Sequence, residues 1–495
     1  MKLPLAGGAY IDPHIDANYK QCINYYAALS GPGGEGSTVT NPYDSRQQAT
    51  AVMRPTPGKK LFVDLGTGKP VRAIINFQDT IYAVSSNTLY KLTINDDNNT
   101  ATASSVGTLT YGTQLIKWTT NPTQIYLTDG TVAGGYIHTV STDTLTNITD
   151  GDYLGAQQVA FLDSYFVAST PSASTITTSA TNNGSAWDAL DVATAESQPD
   201  RTVGLIVLNG ELWVFGERST EIWYDAANAT GLPFSKRIGA DINRGCSAKN
   251  SISRFNDGVA WLDDRRYIVM SAGTGYAYKV ISTPALMAEF QKYKDVSNAY
   301  AWTDLTMDGN FYCISFPDNE ITWCYDATTE LWHRRAYYSA DQRFVHDLTY
   351  CSVRYKNKLS LLGSRIDGKI YISDRETYKD GTDYIHRVLT ITSQVMDRDL
   401  IGVDEATLIC STGTALASGT GSDPQIMMRY SNDGGRNWSH EMWRNLGTQG
   451  DYAKEITWNR LGTARRWAFE FRMFDPMDHV LMAFNVKGQT EGGPF

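Results

Sequence analysis

From about Val71 onward, short apolar runs recur in pairs joined by polar turns, and each pair tends to end in an aromatic residue followed by Asp or Lys. The clearest copies are IYAVSSNTLYKLT (Ile81 to Thr93), ELWVFGERSTEIWYDA (Glu211 to Ala226), FYCISFPDNEITWCYDATTELW (Phe311 to Trp332) and LSLLGSRIDGKIYISD (Leu359 to Asp374). Weaker copies lie at Ile125 to Ile137, Val159 to Ser169 and Val259 to Val280. Copies begin roughly 35 to 50 residues apart, the spacing at which four-stranded propeller blades repeat. A four-stranded meander cannot bury both faces alone, whereas radial stacking of several buries them and leaves only short edges. The pattern predicts an all-β fold built on a β-propeller of six or seven blades between Val71 and Asp374. A pair of ordinary β-sandwiches is the alternative arrangement of the same strands.

The segment TWCYDATTELWHRR, a strand ending in Tyr-Asp that returns after a short turn to a Trp, looks like a kelch blade. The flanks have a different texture. Residues 1–70 are read as an N-terminal arm or lid, because Pro and Gly punctuate GPGGEGS (Gly31 to Ser37) and RPTPGKK (Arg54 to Lys60) around one short apolar piece from Cys22 to Leu29. The propeller is assigned to residues 71–384. Inside it one helix is expected, with Ser282 or Thr283 as cap, Pro284 at the first position, and Leu286, Met287 and Phe290 on one face. Residues 385–495, where RVLTITSQVM and RRWAFEFRMF alternate strictly around the small-residue loop STGTALASGTGSDP, are assigned to a separate sandwich-like β domain.

Composition sharpens this picture. Among 495 residues, 29 Tyr, 16 Phe and 12 Trp suit pleated, half-buried surfaces. The formal net charge of −10 has the wrong sign for a protein that grips nucleic acid through its phosphates. No apolar run is long enough to span a bilayer, and the opening MKLPLAGGAYIDP is broken by Pro4 and Gly7, so neither membrane insertion nor secretion is expected. Cys22, Cys246, Cys313, Cys324, Cys351 and Cys410 form no CxxC pair and are read as reduced packing residues.

Few motifs suggest chemistry. SNDGGRNW fits an Asp box, in which Ser431, Asp433, Gly435 and Trp438 build a turn: the carboxylate accepts backbone N–H bonds, Gly supplies a positive φ and Trp plugs the turn onto its sheet. Asp boxes recur in sialidases, but a single box without an arginine cluster is structural. DLGTGKP lacks the first Gly and the Ser or Thr of a phosphate-binding loop. The loop holding Asp96, Asp97, Asn98 and Asn99 gathers oxygens without the liganding period of an EF-hand, and is read as a solvated hairpin loop rather than an ion site. The histidines show no HExxH spacing and no Ser sits in a nucleophile elbow. The charges around Asp263, Asp264, Arg265 and Arg266, and around Glu217, Arg218 and Glu221, are read as solvated turns. Near the end, Arg465 and Arg466 precede a strand that sets Trp467, Phe469 and Phe471 against Ala468, Glu470 and Arg472. The aromatic side suits a core, and Arg465, Arg466, Glu470 and Arg472 are candidates to pair with a neighbouring subunit. No catalytic, cofactor or metal residue is assigned.

The run ESQPDRTVGLIVLNGELWVFGERSTEIWYDAANATGLPFSKRIGADINRGCSAKNS (Glu196 to Ser251) resembles the packaged-DNA stabilisation proteins, or tail hub (nozzle) proteins, of short-tailed bacteriophages. The resemblance extends to QCINYYAAL, RPTPGKK, ISTPALMAEFQKY, FYCISFPDNEITWCYDATTELWHRR and WNRLGTARRWAFEFRMFDPMDHVLMAFNV, and so touches most of the chain. It implies a structural virion protein of the phage tail, made and assembled in the bacterial cytoplasm, without enzymatic activity or cofactor. It further implies a hexameric ring below the portal and its adaptor that meets tail fibre, spike or needle proteins, closes the exit channel after packaging and later forms part of the ejection conduit. An acidic lumen would let genomic DNA slide without tight binding. Two rival functions remain for such a chain: a glycan-binding adhesin, or a propeller glycosidase or depolymerase acting on host surface glycan, which needs carboxylates converging in the central pocket.

Overall fold

In a computed structural model the described residues are 2–3, 5, 21–30, 50–195, 200–228, 230–306, 309–356, 358–392, 400–490 and 493–494. Seven four-stranded antiparallel sheets follow one another: blade 1 (residues 71–108), blade 2 (117–147), blade 3 (158–194), blade 4 (202–236), blade 5 (253–280), blade 6 (300–338) and blade 7, whose first three strands span 349–374. In each blade the first strand is innermost. Val71–Phe77 packs on Lys117–Thr120, that strand on Gln158–Leu162, and that one on Thr202–Leu208. Ser253–Phe255 packs on Tyr300–Thr306, which packs on Thr349–Tyr355, which returns to Val71–Phe77. Blades 4 and 5 meet through Trp213, Phe215, Val259 and Trp261. The ring therefore closes with seven blades, at the upper end of the expected count.

The sequence encodes each blade locally. In blades 1, 3, 4 and 5 the first hairpin turns through two consecutive residues at positive φ: Gln78 and Asp79, Asp163 and Ser164, Asn209 and Gly210, Asn256 and Asp257. That is the mark of the primed two-residue turns, whose twist matches the strands they join. Apolar side chains fall on both faces of the inner strands because a neighbouring blade covers each face, so IYAVS (Ile81 to Ser85) is buried throughout.

Where they are described, residues 21–30 and 50–64 are strands of the main sheets. Gly58–Asp64 pairs antiparallel with Lys369–Asp374 and supplies the fourth, outer strand of blade 7, so the ring is closed by a strand from before blade 1. Gln21–Ile23 pairs with Arg387–Thr392 and touches Arg334 of blade 6 in parallel register. Tyr25–Ser30 and Thr50–Pro55 pair with one another and join Leu481 through Met53. Loop-like punctuation hid these strands, and the partners of Gln21–Ile23 and Gly58–Asp64 lie hundreds of residues away. GPGGEGS falls outside the described residues.

The sandwich shares a sheet with the propeller. One sheet runs through Arg387–Thr392, Ala468–Met473, Gln425–Ser431 and Met442–Asn445, and is continuous with blade 6 through Gln21–Ile23. The other orders Tyr25–Ser30, Thr50–Pro55, Leu481–Thr490, Ile401–Cys410 and Ile456–Ala464. Between them, Phe484 meets Phe469 and Phe471 edge-on at 4.9 and 5.0 Å. The same apolar cluster reaches Tyr312 and Trp332 of blade 6 and Leu286 and Phe290 of the helix Pro284–Lys292. Thr283 caps that helix by accepting from the Leu286 N–H at 3.4 Å.

Where the ring closes, Lys59 is buried between two carboxylates, with Nζ at 3.1 Å from Asp347 and 2.9 Å from Asp380. Lys59 lies on the closing strand, Asp347 on the connection from blade 6 to blade 7, and Asp380 just beyond blade 7. Burial alone would push the ammonium pKa down, but the two carboxylates outweigh it and hold the pKa above its ordinary value. Removing one member leaves uncompensated buried charge. Lys59→Met is expected to cost about 3–5 kcal/mol in urea unfolding, whereas Lys60→Met, at an exposed position of the same strand, should stay within about 0.5 kcal/mol. Equal effects of the two substitutions would show that the buried triad contributes nothing to closure.

Candidate functional site

At the propeller axis the inner strands leave a cavity of about 190 Å³ at the face where they begin, lined by residues of blades 1, 2, 5, 6 and 7 and by Asn250, which precedes blade 5. A DNA duplex cannot pass through it. Among the described residues no group of three His, Cys, Asp or Glu could hold a metal ion, and no helix is long and apolar enough to cross a membrane.

The Asp-box residues build one tight turn at the end of strand Gln425–Ser431. The Ser431 hydroxyl donates to Asp433 Oδ1 at 2.6 Å and accepts from the Gly435 N–H at 2.8 Å. Asp433 Oδ1 accepts from the N–H groups of Arg436 and Asn437, both at 2.9 Å, and Oδ2 accepts from Asn437 Nδ2 at 2.7 Å. The Ser431 hydroxyl, followed by the Asn437 amides, holds the Asp433 carboxyl well below the usual carboxylate range. Gly434 and Gly435 take φ of 80° and 101°, which residues with a Cβ rarely adopt. Trp438 is half-buried and carries the Arg429 guanidinium over its ring at 4.8 Å. All of Asp433's hydrogen bonds are spent within the turn, so the carboxylate folds the chain locally.

The candidate interface set divides. Glu470 is buried and receives Arg429 through two nitrogens at 2.7 and 3.1 Å, with Arg472 Nε at 2.7 Å on the same carboxylate. Glu470 and Arg472 are therefore paired within their own sheet, because the adjacent strand Gln425–Ser431 sets Arg429 directly opposite Glu470. Arg465 and Arg466 are exposed, and the Arg466 carbonyl accepts from Gly434, tying the Asp-box turn to this strand. Trp467, Phe469 and Phe471 lie in the core.

Two charged turns are also not simply solvated. Asp263 is fully buried, 2.9 Å from Arg244, and accepts the N–H groups of Arg265 and Tyr267. Glu221 is buried and accepts from Trp223 Nε1 at 2.9 Å. In the loop Asp96 to Asn99, Asp96 pairs with Lys356 at 2.6 Å and accepts from the Tyr355 hydroxyl, which bridges blades 1 and 7. A second buried pair, Arg335 with Asp304 at 2.7 Å, lies between blades 6 and 7, where Ser373 also donates to Asp304. No local motif marks these partners, since each ion pair joins residues on different strands or connections.

Asp433 gives a pH-dependent prediction. Its carboxyl is depressed in the folded state, so its contribution is complete above the ordinary carboxylate pKa near 4 and is lost as pH falls toward the lower folded value. Asp433→Ala should melt at a lower temperature than the parent chain at pH 7, with the gap constant down to about pH 5 and shrinking below about pH 4. Calorimetric scans across that range check it, and a gap that widened in acid would contradict the assigned hydrogen bonds.

Comparison with known proteins fits this architecture. Residues 41–378 match the family model described as bacteriophage P22 Gp10, beta-propeller, and residues 388–489 match the one described as bacteriophage P22 Gp10, beta-sandwich. No curated protein matches in sequence. Solved structures similar in fold include the extracellular domain of the hybrid two component system BT4673 from B. thetaiotaomicron, at 10% identity and a TM-score of 0.41, covering 72% of this chain and 45% of that one. The chain thus spans under half the length of that structure. Others are the Neurospora crassa Pan2 WD40 domain (8% identity, TM-score 0.40, 64% and 94% covered) and YCF48 from Cyanidioschyzon merolae (12%, 0.41, 64% and 99%). With both family models matched in order across propeller and sandwich, the chain belongs to the bacteriophage P22 Gp10 family and is a structural packaged-DNA stabilisation protein of the phage tail.

Proposed function

We propose that six copies of this chain form a ring below the portal and its adaptor, that the ring closes the exit channel after packaging, and that it later forms part of the conduit for the genome. The observation that carries the reading is the union of the family match with the small cavity at the propeller axis: a tail component whose inner strands line a space of only about 190 Å³ there, too small for a duplex, would frame the DNA path between subunits. Charge supports it. At a formal −10 per chain a six-copy ring carries −60, and a lumen poor in cations repels phosphates, so the genome slides instead of sticking. The two-sheet core shared with blade 6 supports a stiff subunit suited to stacking. Fibre, spike or needle proteins are the proposed neighbours on the far side of the ring.

Removing residues from 385 onward is not a clean test, because it would strip the partners of Cys22, Tyr25 and Met53 from the shared core. A surface change is. Arg466→Glu alters an exposed position and should cost little stability. If the sandwich face seals the ring, phage carrying it should package DNA but lose it on storage, read as a fall in genome-filled particles by electron microscopy. Purified parent protein mixed with portal and adaptor should give six-fold rings. Another symmetry, or a continuous Lys and Arg belt around the lumen, would overturn the proposed arrangement.

A further inference from the structure

Two edge strands of the fold bulge and carry opposite charge. Asn183–Thr194 is the last strand of blade 3 and Ile456–Ala464 the last strand of the second sandwich sheet, so each is paired on one side only among the described residues. The first contains no basic residue and the second no acidic one. In blade 3 the four residues Asp188 to Asp191 stand opposite the single Thr178, because the register passes from Thr177 with Val192 to Ser179 with Trp187. In the sandwich, Arg460 and Leu461 stand opposite the single Asp404. Bulges and charges of this kind stop an edge from extending its sheet, so a partner is met there by side chains.

Neither set of charges is balanced within the chain. Asp188 accepts the N–H of Leu190 inside the bulge at 2.9 Å, and neither Asp188 nor Asp191 has an ion-pair partner among the described residues. Burial, followed by the Asp188 charge, raises the Asp191 carboxyl pKa. Arg460 is exposed at φ 58°, Arg466 is exposed two residues beyond the strand, and neither guanidinium pairs with a carboxylate among the described residues. Shape matches charge. Leu190, between the two aspartates, is 75% exposed. On the other edge Arg460 lines a groove of about 490 Å³ with Leu400, Val403 and the side-chain-free Gly402 and Gly462, and Asp404 is its one carboxylate.

The two edges lie on opposite sides of the molecule. Blade 6 carries the sandwich, since its sheet continues through Gln21–Ile23 into Arg387–Thr392. Blade 3 stands three blades from blade 6 in one direction and four in the other. A contact between unlike patches is the kind that repeats head to tail around a closed ring. We propose that the Asp188 to Asp191 bulge of one copy docks on the Arg460 edge of the next, with Leu190 in the groove and the two aspartates facing Arg460 and Arg466. A second copy is the occupant because each edge supplies the charge that the other lacks. This contact rests on the ring reading above and gives the ring its subunit-to-subunit surface.

Charge reversal in the full purified chain tests it, with rings on portal and adaptor counted by electron microscopy and self-association followed by sedimentation. Asp188→Lys with Asp191→Lys makes the first edge basic, and Arg460→Glu with Arg466→Glu makes the second acidic. Each double variant alone sets like charges together and should form no rings where the parent does. An equal mixture should form them, because the two variants alternating around a six-copy ring restore opposite charge at every contact. Leu190→Ser, which changes no charge, should weaken association by about tenfold or more. Association of the parent should itself weaken as sodium chloride rises from about 0.05 to about 0.5 M. Parent rings that persist in both charge variants overturn the contact and leave the ring reading standing, whereas a parent chain that makes no ring overturns both. Indifference of the parent to salt overturns the contact whether or not the variants fold, and so does a mixture of folded variants that stays unassembled. Unchanged association in Leu190→Ser overturns the seating of that residue in the groove.

Discussion

Everything in this fold depends on closing a ring of sheets whose last blade is one strand short. Blade 7 makes only three strands from its own stretch of chain, and Gly58–Asp64 completes it from the other side of the sequence. A closed ring has no exposed inner edge, but closure fixes a loop of some three hundred residues, and the entropy of that loop must be offset where the ends meet. The offset is concentrated in two features of the closing strand. Phe62 and Val63 enter an apolar cluster with Val71, Ile74, Leu361 and Ile370, and Lys59 is clamped between Asp347 and Asp380. The apolar contacts supply most of the favourable energy, while the triad sets register, since a shift by one residue would send Lys59 to solvent and leave two buried carboxylates facing each other.

The same segment of chain ties the second body to the first. Asn24, at φ 57°, donates through Nδ2 to the carbonyls of Ala336 and His386, both at 2.8 Å, and accepts from the Ala336 N–H at 2.9 Å. One side chain thereby stitches blade 6 to the first sandwich strand. With Cys22, Tyr25 and Met53 in a common apolar cluster, propeller and sandwich share an interior that a hinge between them would have to break.

Charge is handled in the same economical way. Arg244 with Asp263, Arg335 with Asp304 and Arg429 with Glu470 are each buried or largely so, and each joins different strands or connections. Arg335 also lies over the rings of Trp302 and Phe311, at 5.5 and 4.7 Å, where a guanidinium gains from the aromatic faces.

Much of this was legible along the chain, because it depends on neighbours in sequence. Strand pairs with primed turns at Asn209-Gly210 or Asn256-Asp257, the Thr283 cap with Pro284 behind it, and the Ser431 to Trp438 turn are all settled within a few residues, by backbone sterics and local hydrogen bonds. The blade repeat follows from the same short-range pattern. What the chain did not disclose is what pairs across it. QCINYYAAL and RPTPGKK read as an arm because a strand's hydrogen-bonding edge carries no mark of the partner that will cover it, and only the folded ring brings Lys369–Asp374 and Arg387–Thr392 alongside. Likewise Glu470 looked free for a neighbour until Arg429 stood opposite it, and Asp263 looked solvated until Arg244 closed over it. Side-chain periodicity fixes which face a residue takes; the fate of a charge on that face is decided by whatever the tertiary structure places there.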